Sequence, residues 1–306
     1  MPPTTRRDVP AVALGTGGPL LSAIVAGVWR LTAWQMDRAA RIRWIEECVA
    51  LGITSFDHAD IYGDYQVEAL FGEALAAVPG LRDRLQLISK CGIRLVSSHR
   101  PGHTINSYDA SATHIVASVD RSLRALRTDR LDLLLIHRPD FLMDPEALAA
   151  CFDALRVAGK VRHFGVSNHS PSQLALLHRR VPLCTNQIEF SPLHLAPLSD
   201  GTLDQCVDLE LRPMIWSPLA GGRLLTSDDA RTARVRAVLE ALAREHEVSV
   251  PTIAYAWLLR HPSRPVPVTG TGRVEGLREA VAALGVTLSA ESWYRVWEAS
   301  AGHPVP

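Results

Sequence analysis

The chain lacks the features that would tie it to a membrane, a structural metal or a nucleic acid. Its five cysteines, Cys48, Cys91, Cys151, Cys184 and Cys206, are odd in number and widely spaced, with no C-x-x-C pair. That spacing argues against a disulfide framework or a zinc knuckle and fits a reducing cytoplasm. No apolar run approaches the ~20 residues needed to span a bilayer. Residues 1–8, with Arg6 and Arg7, lack the apolar core of a secretory signal; they read as a frayed end, and a cytoplasmic location is expected. Neither sign of charge is in excess. Against 32 basic side chains stand 32 acidic ones, which leaves no basis for a nucleic-acid surface and points to a small-molecule ligand. No cluster of His and carboxylates forms a convincing divalent-metal site. The glycines at 15, 17 and 18 do not complete a G-x-G-x-x-G fingerprint.

What the chain does have is a repeated alternation of short apolar strands with helices, and 47% apolar residues to bury between them. After a glycine-turn hairpin at 12–20, strands are expected at 23–27, 54–57, 85–90, 131–137, 163–167, 183–188, 214–216 and 266–268. Helices are expected between them. Asp37, Ser111 and Ser170 stand as N-caps, Pro171 lies in a first turn, and Gly52 and Gly159 mark helix ends. Further helices are expected within 230–247 and at 251–259, 274–284 and 290–299. Eight strands, each separated from the next by at least one helix, imply a parallel sheet. Closed, it is a single (β/α)8 barrel over residues 1–306, with an N-terminal hairpin and extra C-terminal helices. An open doubly wound sheet is the alternative, although the first strand lacks the glycine fingerprint of that fold. The stretch 92–108, rich in His, Arg, Ser, Gly and Pro, is expected to be a long loop over the substrate.

The chain is organised around residues 54–63, TSFDHADIYG, where an apolar strand ends in Asp57 and a short loop carries Tyr62. Five extended residues span at most ~17 Å, so carboxylate and phenol share one end of the fold. The next two strands end in Lys90 and His137. Singly, each has an ordinary structural reading, as a turn-bonding carboxylate, a packed ring, a solvated strand end or a bonded core histidine. Together, at the strand tips where barrels place their active sites, they suit reduction of a carbonyl. The oxygen needs a proton while hydride reaches carbon. Tyr62 is the expected general acid, a nearby Lys90 ammonium would favour its phenolate, Asp57 would hold the ammonium, and His137 would orient the carbonyl oxygen. Trp29, Arg30, Trp34, His58, Arg138 and the 92–108 loop are expected to line the substrate pocket. Asp140 and His169 are expected to be solvated or substrate-facing.

Phe56-Asp57-His58-Ala59-Asp60-Ile61-Tyr62-Gly63, followed by Glu68, resembles the F-D-T-A-x-x-Y-G motif of the aldo/keto reductases. The similarity runs over nearly the whole chain, with a bacterial NADP-dependent oxidoreductase branch as its best likeness. It implies that Asp57, Tyr62, Lys90 and His137 are the family tetrad and that the cofactor is NADP(H). Gly165-Val166-Ser167-Asn168 and Asn186-Gln187-Ile188-Glu189 resemble the segments whose Ser167, Asn168 and Gln187 would bind the nicotinamide carboxamide. In 216–222, Trp216 would stack on nicotinamide while Ser217, Pro218, Leu219 and Gly221 wrap the pyrophosphate. Gly27 and Trp29 would complete that wall. At the adenosine end stand Gly270, Thr271, Arg273 and Glu279; Arg273 offers a planar fork suited to a phosphate. Three positions depart from the family pattern. His58 stands for its usual threonine, Trp216 for a frequent tyrosine, and Gly276 where many members place an arginine on the adenosine 2′-phosphate. The rival reading is a non-catalytic cofactor-binding subunit resembling channel β subunits, and a third is a metal or phosphate barrel hydrolase.

Overall fold

A sheet of short strands whose connecting helices all lie outside it can bury its inner face only by closing on itself. A computed structural model describes residues 9–306; the reading of residues 1–8, with Arg6 and Arg7, falls outside the described residues. Strands β1 (Ala11–Ala13) and β2 (Leu20–Ser22) form the antiparallel hairpin. The barrel begins with β3 (Val25–Gly27), β4 (Ser55–Asp57) and β5 (Gln86–Cys91). A small antiparallel pair follows, β6 (Ile93–Arg94) with β7 (Ser107–Tyr108). The barrel then continues through β8 (Leu131–Ile136), β9 (Val161–Ser167), β10 (Asn186–Glu189), β11 (Met214–Trp216) and β12 (Val266–Thr269). Its eight strands pair in parallel and in chain order, and β12 pairs with β3 to close the ring. The open alternative is excluded.

Side chains alternate along a strand with period two, so one residue deep in the lumen fixes where its second neighbour points. Val25, Ile88, Leu133, Leu135, Met214, Val266 and Val268 fill the lumen, and Leu14 and Leu21 of the hairpin region close it from below. Two residues beyond these, on the same face, come Gly27, Lys90, His137, Trp216 and Gly270. The polar site is thus the top layer of an apolar stack.

The three expected caps form. Asp37 accepts from Ala40 N, Ser111 from His114 N, and Ser170 closes a capping box with Gln173 behind Pro171. Several boundaries shift. The first barrel strand starts at Val25 instead of residue 23, because Ala23 N is taken by Pro10 O of the hairpin region at 2.9 Å. The strand expected from 183 starts at Asn186, while the helix expected within 230–247 runs from Ala230 to Glu245, with Glu247 in left-handed backbone. The 92–108 stretch is not wholly irregular, since its ends pair as β6 and β7; two-residue strands are too short to show a period in sequence. At the C-terminal end Trp257 and Trp293 stack at 4.9 Å, and each indole N–H donates to the other residue's carbonyl. That pair of hydrogen bonds ties the last helix to the helix Val250–Leu259 that packs on the barrel.

The helices Val67–Ala77 and Ala112–Leu126 cross at Gly72, where an added Cβ would lie 2.0 Å from Ala125 O. Glycine inside a helix ordinarily costs about 1 kcal/mol against alanine. Here the contact reverses the sign, because backbone must move to admit a methyl. Gly72→Ala is expected to lower unfolding free energy by roughly 1–3 kcal/mol in urea titration; a gain in stability would show that the helices separate freely.

Candidate active site

The lysine at the tip of β5 has three protons to place while buried from solvent, and three acceptors receive them. Lys90 Nζ donates to Asp57 Oδ2 at 2.6 Å, to the His58 carbonyl at 2.9 Å and to the Tyr62 hydroxyl oxygen at 3.0 Å. Lys90 is 1% exposed and Asp57 3%. The parallel register makes this possible: Asp57 pairs with Ile88, so Lys90 stands one pleat further along the lumen face. Asp57 spends its other oxygen on Gln187, whose Nε2 donates at 3.0 Å from β10. Tyr62 reaches Lys90 because the chain turns directly after β4, with Tyr62 N bonded to Ala59 O at 3.1 Å. Its ring meets the His137 ring edge-on at 5.9 Å. Asp57, Tyr62, Lys90 and His137 therefore form one cluster.

Burial sets the charges. It works against charging Lys90, but Asp57 and then Tyr62 outweigh it and hold the lysine pKa above its ordinary value. Burial pushes the Tyr62 phenol up, and Lys90 offsets only part of that, so Tyr62 keeps its proton. The expectation that Lys90 would favour the phenolate describes a contribution that burial outweighs. Burial, then the charges of Lys90 and Arg138, push His137 well below the ordinary histidine value, and it is neutral at neutral pH. Its Nδ1 is buried with no partner.

Above the cluster lies a cavity of ≈ 1020 Å³. Asp57, Tyr62 and His137 form part of its floor, while Lys90 lies behind Tyr62. Gly27, Trp29, Ser167, Asn168, Gln187 and Trp216 line its near wall. From there it extends along Ser217, Pro218, Leu219 and Gly221 to Gly270, Thr271, Arg273 and Glu279. Three of the non-glycine residues in left-handed backbone lie in these segments. Asn168, Ser217 and Ala220 all take left-handed φ, of 58°, 51° and 51°. At Asn168 that conformation brings Oδ1 to the Trp216 Nε1–H at 2.9 Å and Nδ2 to Ser167 Oγ at 2.8 Å. Arg30 crosses the cavity mouth, its Nη2 donating to Gly221 O at 2.8 Å.

Three expected residues lie elsewhere. His58, read as pocket lining, is fully buried on the far side of β4 against Phe71, rings 4.5 Å apart; period two turns it away from Asp57, and burial pushes its pKa down to about 3. His169, read as solvated or substrate-facing, is 2% exposed, with Nδ1 at Ser167 O. Asp140 bonds Ala110 N and Leu142 N, pinning the rim instead of facing the cavity. Trp34, expected in the pocket lining, lines the cavity and packs against Gly272, where a Cβ would stand 2.7 Å from its ring. The sequence reading missed Tyr255, which comes from a helix outside the barrel, lines the cavity and donates to Thr269 Oγ1 at 3.0 Å. No periodicity encodes either contact. No helix among the described residues is long and apolar enough to cross a membrane, and no cluster of metal-ligating side chains occurs among them.

Comparison with known proteins agrees with this architecture. The family model described as "Aldo/keto reductase family" matches residues 23–301. Oxidoreductase YdhF of Escherichia coli is 46% identical over 97% of this chain and 100% of its own. A 6-dehydroglucose reductase of Agrobacterium fabrum is 42% identical over 93% of this chain and 96% of its own. Among solved structures, a thermostable aldo-keto reductase in complex with the inhibitor epalrestat superposes with a TM-score of 0.78 at 26% identity, covering 94% of this chain and 99% of that one.

Removing the lysine leaves the Asp57 carboxylate buried without its cation. Lys90→Met is expected to destabilise the fold by roughly 3–5 kcal/mol in urea unfolding, whereas the double variant Asp57→Asn, Lys90→Met recovers part of the loss. A single variant as stable as the parent would show that the ion pair does not hold the strand tips together.

Proposed function

The chain belongs to the aldo/keto reductase family, and from that membership we propose that it reduces an aldehyde or ketone to the alcohol with NADPH as hydride donor. The observation that carries the reading is the buried Lys90 ammonium, held by Asp57 and aimed at the Tyr62 oxygen on the cavity floor. When bound, the nicotinamide cofactor supplies hydride to the carbonyl carbon.

The side chains account for the proton. Tyr62 donates its phenol proton to the carbonyl oxygen as charge develops there, and the phenolate that results accepts a hydrogen bond from Lys90. Asp57 keeps Lys90 protonated, and Gln187 keeps Asp57 oriented. His137 is neutral, and no acceptor faces its Nδ1, so the ring proton belongs on Nε2, where it can donate to the same carbonyl oxygen. The rival reading, a non-catalytic cofactor-binding subunit, needs none of this arrangement. The name of the Agrobacterium relative makes sugar carbonyls such as 6-dehydroglucose substrates to test. A cytoplasmic location and a single-domain organisation remain part of the proposal.

The cavity fits a dinucleotide. It runs from the tetrad past the left-handed turn at 217–222 to the loop at 270–273, and Gly221 and Gly270 leave backbone open along it. Asn168 and Ser167 would hold the carboxamide, Trp216 would face the nicotinamide, and Thr271 and Arg273 would hold the adenosine phosphate. Gly276 is buried against Thr271 and contributes no cation. Arg278 is paired with Glu275 at 3.2 Å, while the exposed Arg273 side chain has no ion-pair partner among the described residues. That leaves Arg273 to select NADPH over NADH.

Tyr62→Phe is expected to lower carbonyl reduction by ~10²–10⁴-fold while retaining NADPH binding, measured as NADPH oxidation and fluorescence titration. Comparable turnover in variant and parent would dismiss Tyr62 as the acid. Arg273→Ala is expected to weaken NADPH by about ten-fold or more and leave NADH nearly unchanged, since one charge-assisted contact contributes on the order of 1.5–3 kcal/mol. An equal loss for both cofactors, or a parent that prefers NADH, contradicts the assignment.

A further inference from the structure

Among the described residues, two guanidinium groups on the cavity wall have neither an ion-pair partner nor a hydrogen bond. One is Arg273 at the adenosine end; the other is Arg138, at the catalytic end. Arg138 directly follows His137 beyond β8, and its guanidinium carbon lies 5.9 Å from the centre of the Trp216 ring. It donates to no described residue. Its charge is nevertheless felt at the site, adding to burial and Lys90 in lowering His137.

The acidic groups around the cavity are committed elsewhere. Asp57 belongs to Lys90 and Gln187, and Asp140, two residues beyond Arg138, has both oxygens on backbone N–H groups. Asp64 stands 3.9 Å from His99 on the outer loop, and Glu279 lies at the adenosine end. Arg30, the third guanidinium on the wall, already donates to Gly221 O. Arg138 stands over the Trp216 ring, and the cavity it lines is also walled by the apolar Trp29, Ile61, Ile93 and Leu95, which lower its dielectric and strengthen a charge pair formed there.

Resting on the carbonyl-reductase reading, we propose that Arg138 binds a carboxylate of the substrate, and that this substrate is an aldehyde or ketone with a carboxylate a few bonds from its carbonyl. A guanidinium fork matches a carboxylate in two parallel hydrogen bonds, which fixes orientation as well as affinity. A neutral polyol would leave the charge unbalanced. Hydride adds to the carbonyl carbon and the Tyr62 proton to its oxygen, giving a hydroxy acid; the carboxylate makes and breaks no covalent bond. Arg138 is thereby the residue that sets specificity.

The test measures NADPH oxidation by the full chain with succinate semialdehyde and 4-carboxybenzaldehyde, each against its methyl ester, and with glyceraldehyde as a neutral polyol. In the parent, kcat/KM is expected to favour each acid over its ester by about ten-fold or more, through KM. In Arg138→Ala the acid-to-ester ratio falls toward one, Arg138→Lys restores part of it, and NADPH titration matches the parent. Esters or glyceraldehyde reduced as well as the acids would overturn the carboxylate assignment alone. So would an Arg138→Ala variant that loses acid and ester equally, or one that loses NADPH affinity. Failure to reduce any of these carbonyls, with NADPH bound, would instead remove the reductase reading on which the assignment rests.

Discussion

The contact between Lys90 and Asp57 constrains the rest of the site. An ammonium taken out of water survives only with a carboxylate beside it and every proton bonded, and both conditions hold here. Each acceptor comes from a different piece of the chain around β4: its last residue, the carbonyl after it, and the phenol at the end of the short loop. The lysine therefore fixes the shape of that loop as well as its charge. Gln187 extends the same constraint across the lumen from β10. Strands that pair with different neighbours are tied through one carboxylate.

The site inherits its geometry from the apolar layers below it. Ile88 and Leu135 are ordinary lumen residues, yet their packing decides where Lys90 and His137 point, because a strand that is fixed at one residue is fixed at the next on the same face. The same rule sends His58 into the layer outside the barrel. The side chain beside Asp57 in sequence thus points away from the Lys90 cluster, while Gln187, 130 positions away, bonds to it.

The cavity is bounded by bridges as well as strands. Arg30 reaches Gly221, and Trp34 lies on Gly272, so the segment after β3 touches both loops that would hold the cofactor. Those contacts join the catalytic and adenosine ends of one long trough. Strained backbone at Asn168, Ser217 and Ala220 marks its rim, and at Asn168 the strain is matched by hydrogen bonds to Trp216 and Ser167.

The sequence by itself determined the alternation of strands and helices, the helix caps at Asp37, Ser111 and Ser170, and the strand tips that carry Asp57, Lys90 and His137. These are local matters of apolar period, side-chain capping and chain direction, and they require no knowledge of distant residues. The resemblance of 56–63, 165–168 and 216–222 to family motifs then named the cavity wall before any geometry was known. Only the tertiary structure decided that the sheet closes, that His58 and His169 are buried away from the cavity, and that the ends of 92–108 pair with each other. It alone brought Gln187 to Asp57, Trp34 to Gly272 and Tyr255 to Thr269, and set the Arg138 guanidinium over the Trp216 ring with no ion-pair partner among the described residues. Which side chains meet across a barrel depends on register and on the path of every intervening helix, and no local period carries that information.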